Sequence, residues 1–412
     1  MLIQNFKKNG LIILALVIHL SFYVSYIFQT DSWIYPVGYY HNNYKGLDFY
    51  QIPKAAASFF RTQTFSPEID DWWGDRIIRS NKNVYHPILV MALGVPLHFL
   101  TPEVAFEWWV IFKAILWLLG GIYLWRNYRD HPYGQWALFF FAAHSALGLE
   151  IRIGQFQELL NLCLLFALLA WFRGKIFKFS ITYALSLLIK PTALLWLPLL
   201  FIRRHFKIVG ICTLLVVLAT VPFLWRNYIG YYLENINMRL NTQTIFGPPD
   251  IMSLNALLQS WEIPREMLFN FKKMAMLSML MLSFFHRVSM FTLFYLLGMV
   301  NIFFDVYVYE YHYSVLIPFF VTGLLYVPSM QKTFALILMI WTALPSTYGF
   351  FRLIGSSHLV EGMPDEFIWQ WMVIMKLLPV GILAIYLLLY DVMTSFKETT
   401  SVEDSLESLS DR

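Results

Sequence analysis

This chain of 412 residues is short of charge: Asp, Glu, Lys and Arg together make up 14% of it, against about 25% in an ordinary soluble domain. That scarcity excludes a disordered chain, which needs polarity to stay unfolded. It also excludes most nucleic-acid binders, which need a basic face. Cysteine is nearly absent as well. Cys163 and Cys212 both lie inside apolar runs, where a buried thiol behaves as a small hydrophobe. Two such residues give neither a zinc spacing nor a disulfide framework, which excludes a secreted disulfide scaffold. The net charge of +4 says little about partners, because the basic residues serve topology.

What fills the chain instead is apolar, with 58% hydrophobic and 18% aromatic residues. Length alone would suggest two or three soluble domains, but long apolar runs with few charges mark transmembrane helices. The first run, residues 11–28, follows Lys7 and Lys8 and lacks a small-residue cleavage pattern. It predicts an uncleaved first span with a cytoplasmic N-terminus. Between Thr30 and Tyr85 nothing could cross a bilayer. Residues 86–100 are apolar but short and hold Pro87, Pro96 and His98, so they read as interfacial. The runs that follow then give about twelve crossings with both termini inside. The basic turns at Arg126/Arg129, Arg173/Lys175/Lys178, Arg203/Arg204/Lys207, Arg287 and Lys332 all fall on the cytoplasmic side, as positive-inside asymmetry requires. If residues 86–100 crossed, two of these clusters would lie outside. The expected architecture is all-α: one transmembrane domain over residues 1–396, an outer loop with juxtamembrane helices over 30–104, and an acidic disordered cytoplasmic tail over 397–412.

That orientation puts Asp48, Gln155, Gln157, Glu158, Lys190, Arg239, Asn255, Glu310 and His312 on the outer side, near membrane level. Ionisable groups at such depth default to functional hypotheses, and so many on one side suggest an outward-opening cavity. Asp48 stands between apolar residues just before an apolar-faced helix, where it is either a helix N-cap or a general base for an acceptor hydroxyl. Lys190-Pro191 separates two half-length apolar helices, so Lys190 tips a hairpin. It either snorkels to the interface or meets a lipid phosphate. Gly154-Gln155-Phe156-Gln157-Glu158 opens a span, where amides and carboxamides receive hydroxyls or phosphate oxygens or simply cap the helix. His312 pairs with a phosphate, orients a carboxylate or is structural. Asp70, Asp71 and Asp75 form an acidic cluster that could hold a divalent cation, but no further ligand is spaced to complete it. A solvated loop anchored by Trp72 and Trp73 is the better reading, and no metal site is expected.

Taken in order, the features form a pattern. An early Asp follows the first span, Tyr85-His86-Pro87 opens a short apolar helix, and Gly154-Gln155 starts a span. Lys190-Pro191 then tips a hairpin before Arg203-Arg204, followed by Ser253-Leu254-Asn255 and by Glu310-Tyr311-His312 ahead of Pro318. Over residues 11–318 the chain resembles the GT-C glycosyltransferases, most closely glycosyltransferase family 87, the polyprenyl-phosphate-mannose-dependent mannosyltransferases. The resemblance implies inverting transfer of a hexose from a polyprenyl-phosphate sugar to a lipid or glycan acceptor, at the outer face of the cytoplasmic membrane. It implies no nucleotide sugar, no cofactor and no nucleic-acid partner. Asp48 would be the base, and Lys190, His312, Gln155 and Arg239 would hold the donor phosphate. Tyr85, Gln157, Glu158, Asn255 and Glu310 would line the acceptor and sugar side. A secondary transporter or flippase would also have about twelve spans, but transporters commonly show internal repeats. None is visible in this sequence, and transport does not explain an Asp-bearing outer loop after the first span.

Overall fold

Pro102 starts one of the long apolar helices. It sits at the first helical position after Thr101, where its missing N–H costs nothing, and the helix runs Pro102–Tyr128. In this computed structural model, which describes residues 2–28, 49–65, 85–225, 228–241, 252–305, 308, 310–344 and 366–410, that helix shows how the protein sorts its side chains. Phe106, Trp109, Lys113, Trp117, Gly120, Leu124 and Tyr128 recur every three or four residues and form the buried stripe. The opposite face exposes Trp108, Ile111, Ile115, Leu118, Leu119 and Ile122. A helix that is apolar all round, with its one mid-helix charge turned inward, is suited to lipid rather than water. Phe206–Phe223 and Trp369–Ser395 share this character, and these three are the described helices long and apolar enough to cross a membrane. Every regular element among the described residues is helical.

Shorter helices pack between them, and proline and glycine explain where they bend. Residue 190 precedes Pro191, and a residue in that position is pushed out of the α region. Lys190 is accordingly extended, at φ −143° and ψ 130°, and ends the helix Ile176–Ile189. The chain turns back there. The Tyr183 hydroxyl donates to the Ala193 carbonyl at 2.6 Å, and Trp196 stacks between Tyr183 and Phe294. The segment expected to be interfacial contains the short apolar helix Pro87–Leu97. His86 caps it by accepting from the Ile88 amide, and the other ring nitrogen meets the Thr220 hydroxyl at 3.1 Å. Gly94 lets this helix lie against Gln51–Thr62, because a Cβ there would stand 2.7 Å from the Ile52 carbonyl oxygen.

Two of the apolar runs counted as single crossings, residues 135–149 and 314–327, meet a different structure. The run over 135–149 divides into Gly134–Ala143 and Ala146–Ile153, because His144 is extended and the Ser145 amide donates to the Ala343 carbonyl of another helix. The run over 314–327 begins with a 3₁₀ turn, Glu310–Leu316, before the helix Ile317–Tyr326. The last helix runs Glu366–Ser410. Extending an existing helix requires no new nucleus, so polar residues can follow the apolar ones in the same form.

Candidate active site

The break after Ala146–Ile153 places the polar residues. Gly154 ends that helix at φ 74°, and a Cβ there would lie 2.5 Å from Phe106 Cε2 and 2.8 Å from Phe49 Cβ. Only glycine allows both the left-handed turn and the close approach. The chain then re-enters a helix at Gln157–Phe172, with Gln155, Gln157 and Glu158 all buried at its start.

Lys113 anchors this corner from the neighbouring long helix. Its ammonium makes an ion pair with Glu158 Oε2 at 3.2 Å, with the two side chains 0% and 2% exposed. It also donates to the carbonyls of Glu150 at 3.2 Å and Gln155 at 3.3 Å. The indole of Trp109 donates to the Gly154 carbonyl at 3.0 Å. Glu150 uses both carboxylate oxygens inside the protein, one accepting from the Glu158 amide and the other from the Ser314 hydroxyl. Glu150 therefore satisfies one of the amides that a helix N-terminus leaves unpaired.

A line of hydrogen bonds leads from this corner to Lys190. Asn161 donates to the Ser314 hydroxyl at 2.8 Å, and Gln157, one helical turn before it, donates to Asn161 Oδ1 at 3.2 Å. Lys190 donates to Gln157 Oε1 at 2.9 Å and lies 5.9 Å from the centre of the Tyr311 ring. Gln155 donates to the Tyr311 hydroxyl at 2.9 Å and accepts from the Tyr85 hydroxyl at 3.4 Å. Tyr85 rests on Phe156, with ring centres 4.6 Å apart. The structure thus brings together Tyr85, Gln155, Gln157, Glu158 and Lys190 from three separate places in the sequence. The Tyr311 ring also packs against His312 at 4.1 Å.

Glu310 belongs to an adjoining cluster. It pairs with Lys376 at 3.2 Å, with the two side chains 4% and 3% exposed, and accepts from Ser145 at 3.4 Å. Glu158 and Glu310 are both committed to buried lysines, which sets them apart from a carboxylate waiting for an acceptor proton. Asn255 caps a different helix end, donating to the Phe304 carbonyl at 2.7 Å. Arg239 lies on the helix Gly230–Asn241; its side chain is outside the described residues, as are Asp48 and the cluster Asp70, Asp71 and Asp75. No group of three metal-ligating side chains converges among the described residues.

Sequence reasoning missed Lys113, Lys376, Asn161 and Ser314. The two lysines were detectable, since each is an isolated charge in the middle of an apolar run, and such a charge needs a partner. Asn161 and Ser314 carried no comparable signal.

The arrangement offers a half-buried cation, Lys190, held by a carboxamide and an aromatic face at the mouth of a buried polar network. That combination suits an anion with an attached polar group, such as a phosphate carrying a sugar. Comparison with curated proteins gives no match. The family model of glycosyltransferase family 87 matches residues 84–304, just over half of the chain, and takes in Tyr85, the whole Gly154–Glu158 corner and Lys190. The protein therefore belongs to glycosyltransferase family 87, is a GT-C type glycosyltransferase, and builds its polar centre among membrane-type helices.

Proposed function

We propose that the protein transfers a hexose, mannose in the first instance, from a polyprenyl-phosphate sugar to a lipid or glycan acceptor at the outer face of the cytoplasmic membrane. The chain crosses that membrane about twelve times with both termini inside, the orientation its basic turns favour. The observation that carries the reading is Lys190: a half-buried ammonium at a chain reversal, oriented by Gln157 and Tyr311.

The chemistry is a single displacement. An acceptor hydroxyl oxygen attacks the anomeric carbon as the bond from that carbon to the phosphate oxygen breaks. The polyprenyl phosphate leaves with one more negative charge than it had in the diester. Lys190 stabilises that charge as it develops, the kind of preorganised electrostatic contact that lowers such barriers, with Arg239 and His312 as its partners at the phosphate. Asp48 takes the hydroxyl proton. One displacement inverts the anomeric centre, so a single catalytic carboxylate is enough, whereas a retaining route needs two. Gln155 joins Lys190, Arg239 and His312 at the phosphate, Tyr85, Gln157 and Asn255 meet sugar or acceptor hydroxyls, and Glu158 and Glu310 act on that side through the walls they hold.

Purified protein in liposomes with radiolabelled polyprenyl-phosphate mannose tests the assignment. Asp48→Asn keeps shape and capping ability but cannot take the proton, so turnover should fall about 10²–10⁴-fold with donor binding unchanged. Near-normal turnover of that variant would remove Asp48 from the mechanism.

A further inference from the structure

The family match ends at residue 304, but the polar network continues past it. Lys376 comes from the last helix, inside the apolar run of Trp369–Ser395. Its ammonium meets Glu310 Oε1 at 3.2 Å, the Leu344 carbonyl at 2.6 Å and the Ser145 hydroxyl at 3.4 Å, and it lies 5.5 Å from the centre of the Tyr313 ring. Ser145 in turn donates to Glu310 and to the Leu344 carbonyl. One ammonium thus gathers the helix break at Ser145, the end of Thr333–Ala343 and the start of the Glu310–Leu316 turn.

Stability alone does not require this arrangement, because replacing a buried ion pair with well-packed apolar residues is often neutral. An ion pair with several fixed acceptors adds a single geometry. Apolar side chains could slide, whereas Glu310 can satisfy Lys376 and Ser145 in only one place. The residue after Glu310 is Tyr311, whose hydroxyl accepts from Gln155 and whose ring faces Lys190.

We propose that Lys376 is a positioning residue for donor binding: its pair with Glu310 fixes the Glu310–Leu316 turn so that Tyr311 stays in reach of Gln155 and against Lys190. The last helix is then part of the donor site although it lies beyond the matched residues. This rests on Lys190 contacting the donor phosphate.

The double variant Lys376→Met/Glu310→Gln removes both charges at nearly constant shape, and Ser145→Ala removes only the hydroxyl that ties them. The double variant should keep its melting temperature within a few degrees of the wild type. Its donor KM should rise about tenfold, one lost contact of roughly 1.4 kcal/mol; the turnover comparison is made in Ser145→Ala, whose kcat at saturating donor should stay near the wild-type value. Ser145→Ala should move KM the same way by about two- to threefold. A merely structural pair would change melting without this split.

A second readout does not depend on sugar transfer. With Cys163 and Cys212 replaced by alanine, the thiol of His312→Cys should label several-fold faster in both the double and the Ser145→Ala backgrounds. Wild-type KM together with wild-type labelling in either background overturns the proposal. If the unaltered protein transfers nothing from polyprenyl-phosphate mannose, the donor reading fails, and the labelling rates still decide whether the turn is held by Lys376.

Discussion

Lys190→Met keeps the stem of the side chain and deletes its charge. In the wild type the ammonium donates to Gln157 Oε1 at 2.9 Å and lies over Tyr311, while the residue as a whole is only half-buried. A hydrogen bond to a charged group contributes about 1.5–3 kcal/mol, which corresponds to roughly a 10- to 150-fold change in affinity. Partial exposure screens the charge, so the lower part of that range, about 10- to 30-fold, is expected. Gln157→Leu leaves the charge and removes only its orienting bond, worth about 1 kcal/mol or roughly fivefold in affinity. The order of effects is therefore fixed in advance: Lys190→Met must weaken donor binding more than Gln157→Leu. Initial rates against donor concentration in liposomes, together with competition by unlabelled polyprenyl phosphate, give both values. Neither variant leaves a buried charge unpaired, so both should insert and purify normally. An unchanged donor KM in Lys190→Met, or a larger effect from Gln157→Leu, refutes the phosphate contact and leaves Lys190 as a snorkelling cation.

Lys113→Met leaves the Glu158 charge buried without its ion-pair partner, and should cost about 3–5 kcal/mol, seen as a large drop in melting temperature and loss of monodispersity; Lys113→Met/Glu158→Leu should recover most of it, and a single variant as stable as the wild type would show that the pair does not hold the corner. Gly154→Ala forces a Cβ against Phe106 and Phe49 at a positive φ, so about 1–3 kcal/mol of stability should be lost; an unchanged melting temperature would mean that the corner adjusts freely.

The sequence shows where the polar residues of this site stand along the chain but not what each of them meets. Gln155, Gln157, Glu158 and Lys190 stood out because each lies at the end of an apolar run, where side-chain polarity has a cost and therefore a purpose. Their partners did not stand out. Whether Glu158 faces an acceptor or a lysine depends on Lys113, and nothing in the residues around Glu158 points to it. The break at His144 is of the same kind: no proline or glycine stands at His144-Ser145 to announce it, and the Ala343 carbonyl that draws away the Ser145 amide comes from a distant helix. The reversal at Lys190 was legible for the opposite reason, since its cause is the next residue, Pro191. Local steric rules can be read from the order of residues, but hydrogen-bond partners supplied by tertiary packing cannot.

The brevity of the helices that flank Lys190 sets a depth. Ile176–Ile189 has 14 residues and so extends about 21 Å, some 9 Å less than the hydrocarbon thickness of a typical bilayer, about 30 Å. With its first residue at the cytoplasmic boundary, as proposed, this arm ends below the plane of the outer headgroups. A donor phosphate reaching Lys190 must sink through part of the hydrocarbon layer, or the layer must thin around the protein. Either way the phosphate of the proposed donor would shed water on approach, and the exposed Leu185 and Leu194 would offer its tail apolar surface. In the proposed reaction the lipid would then be more than a carrier of the sugar, because its anchorage would set the height at which the leaving group is presented.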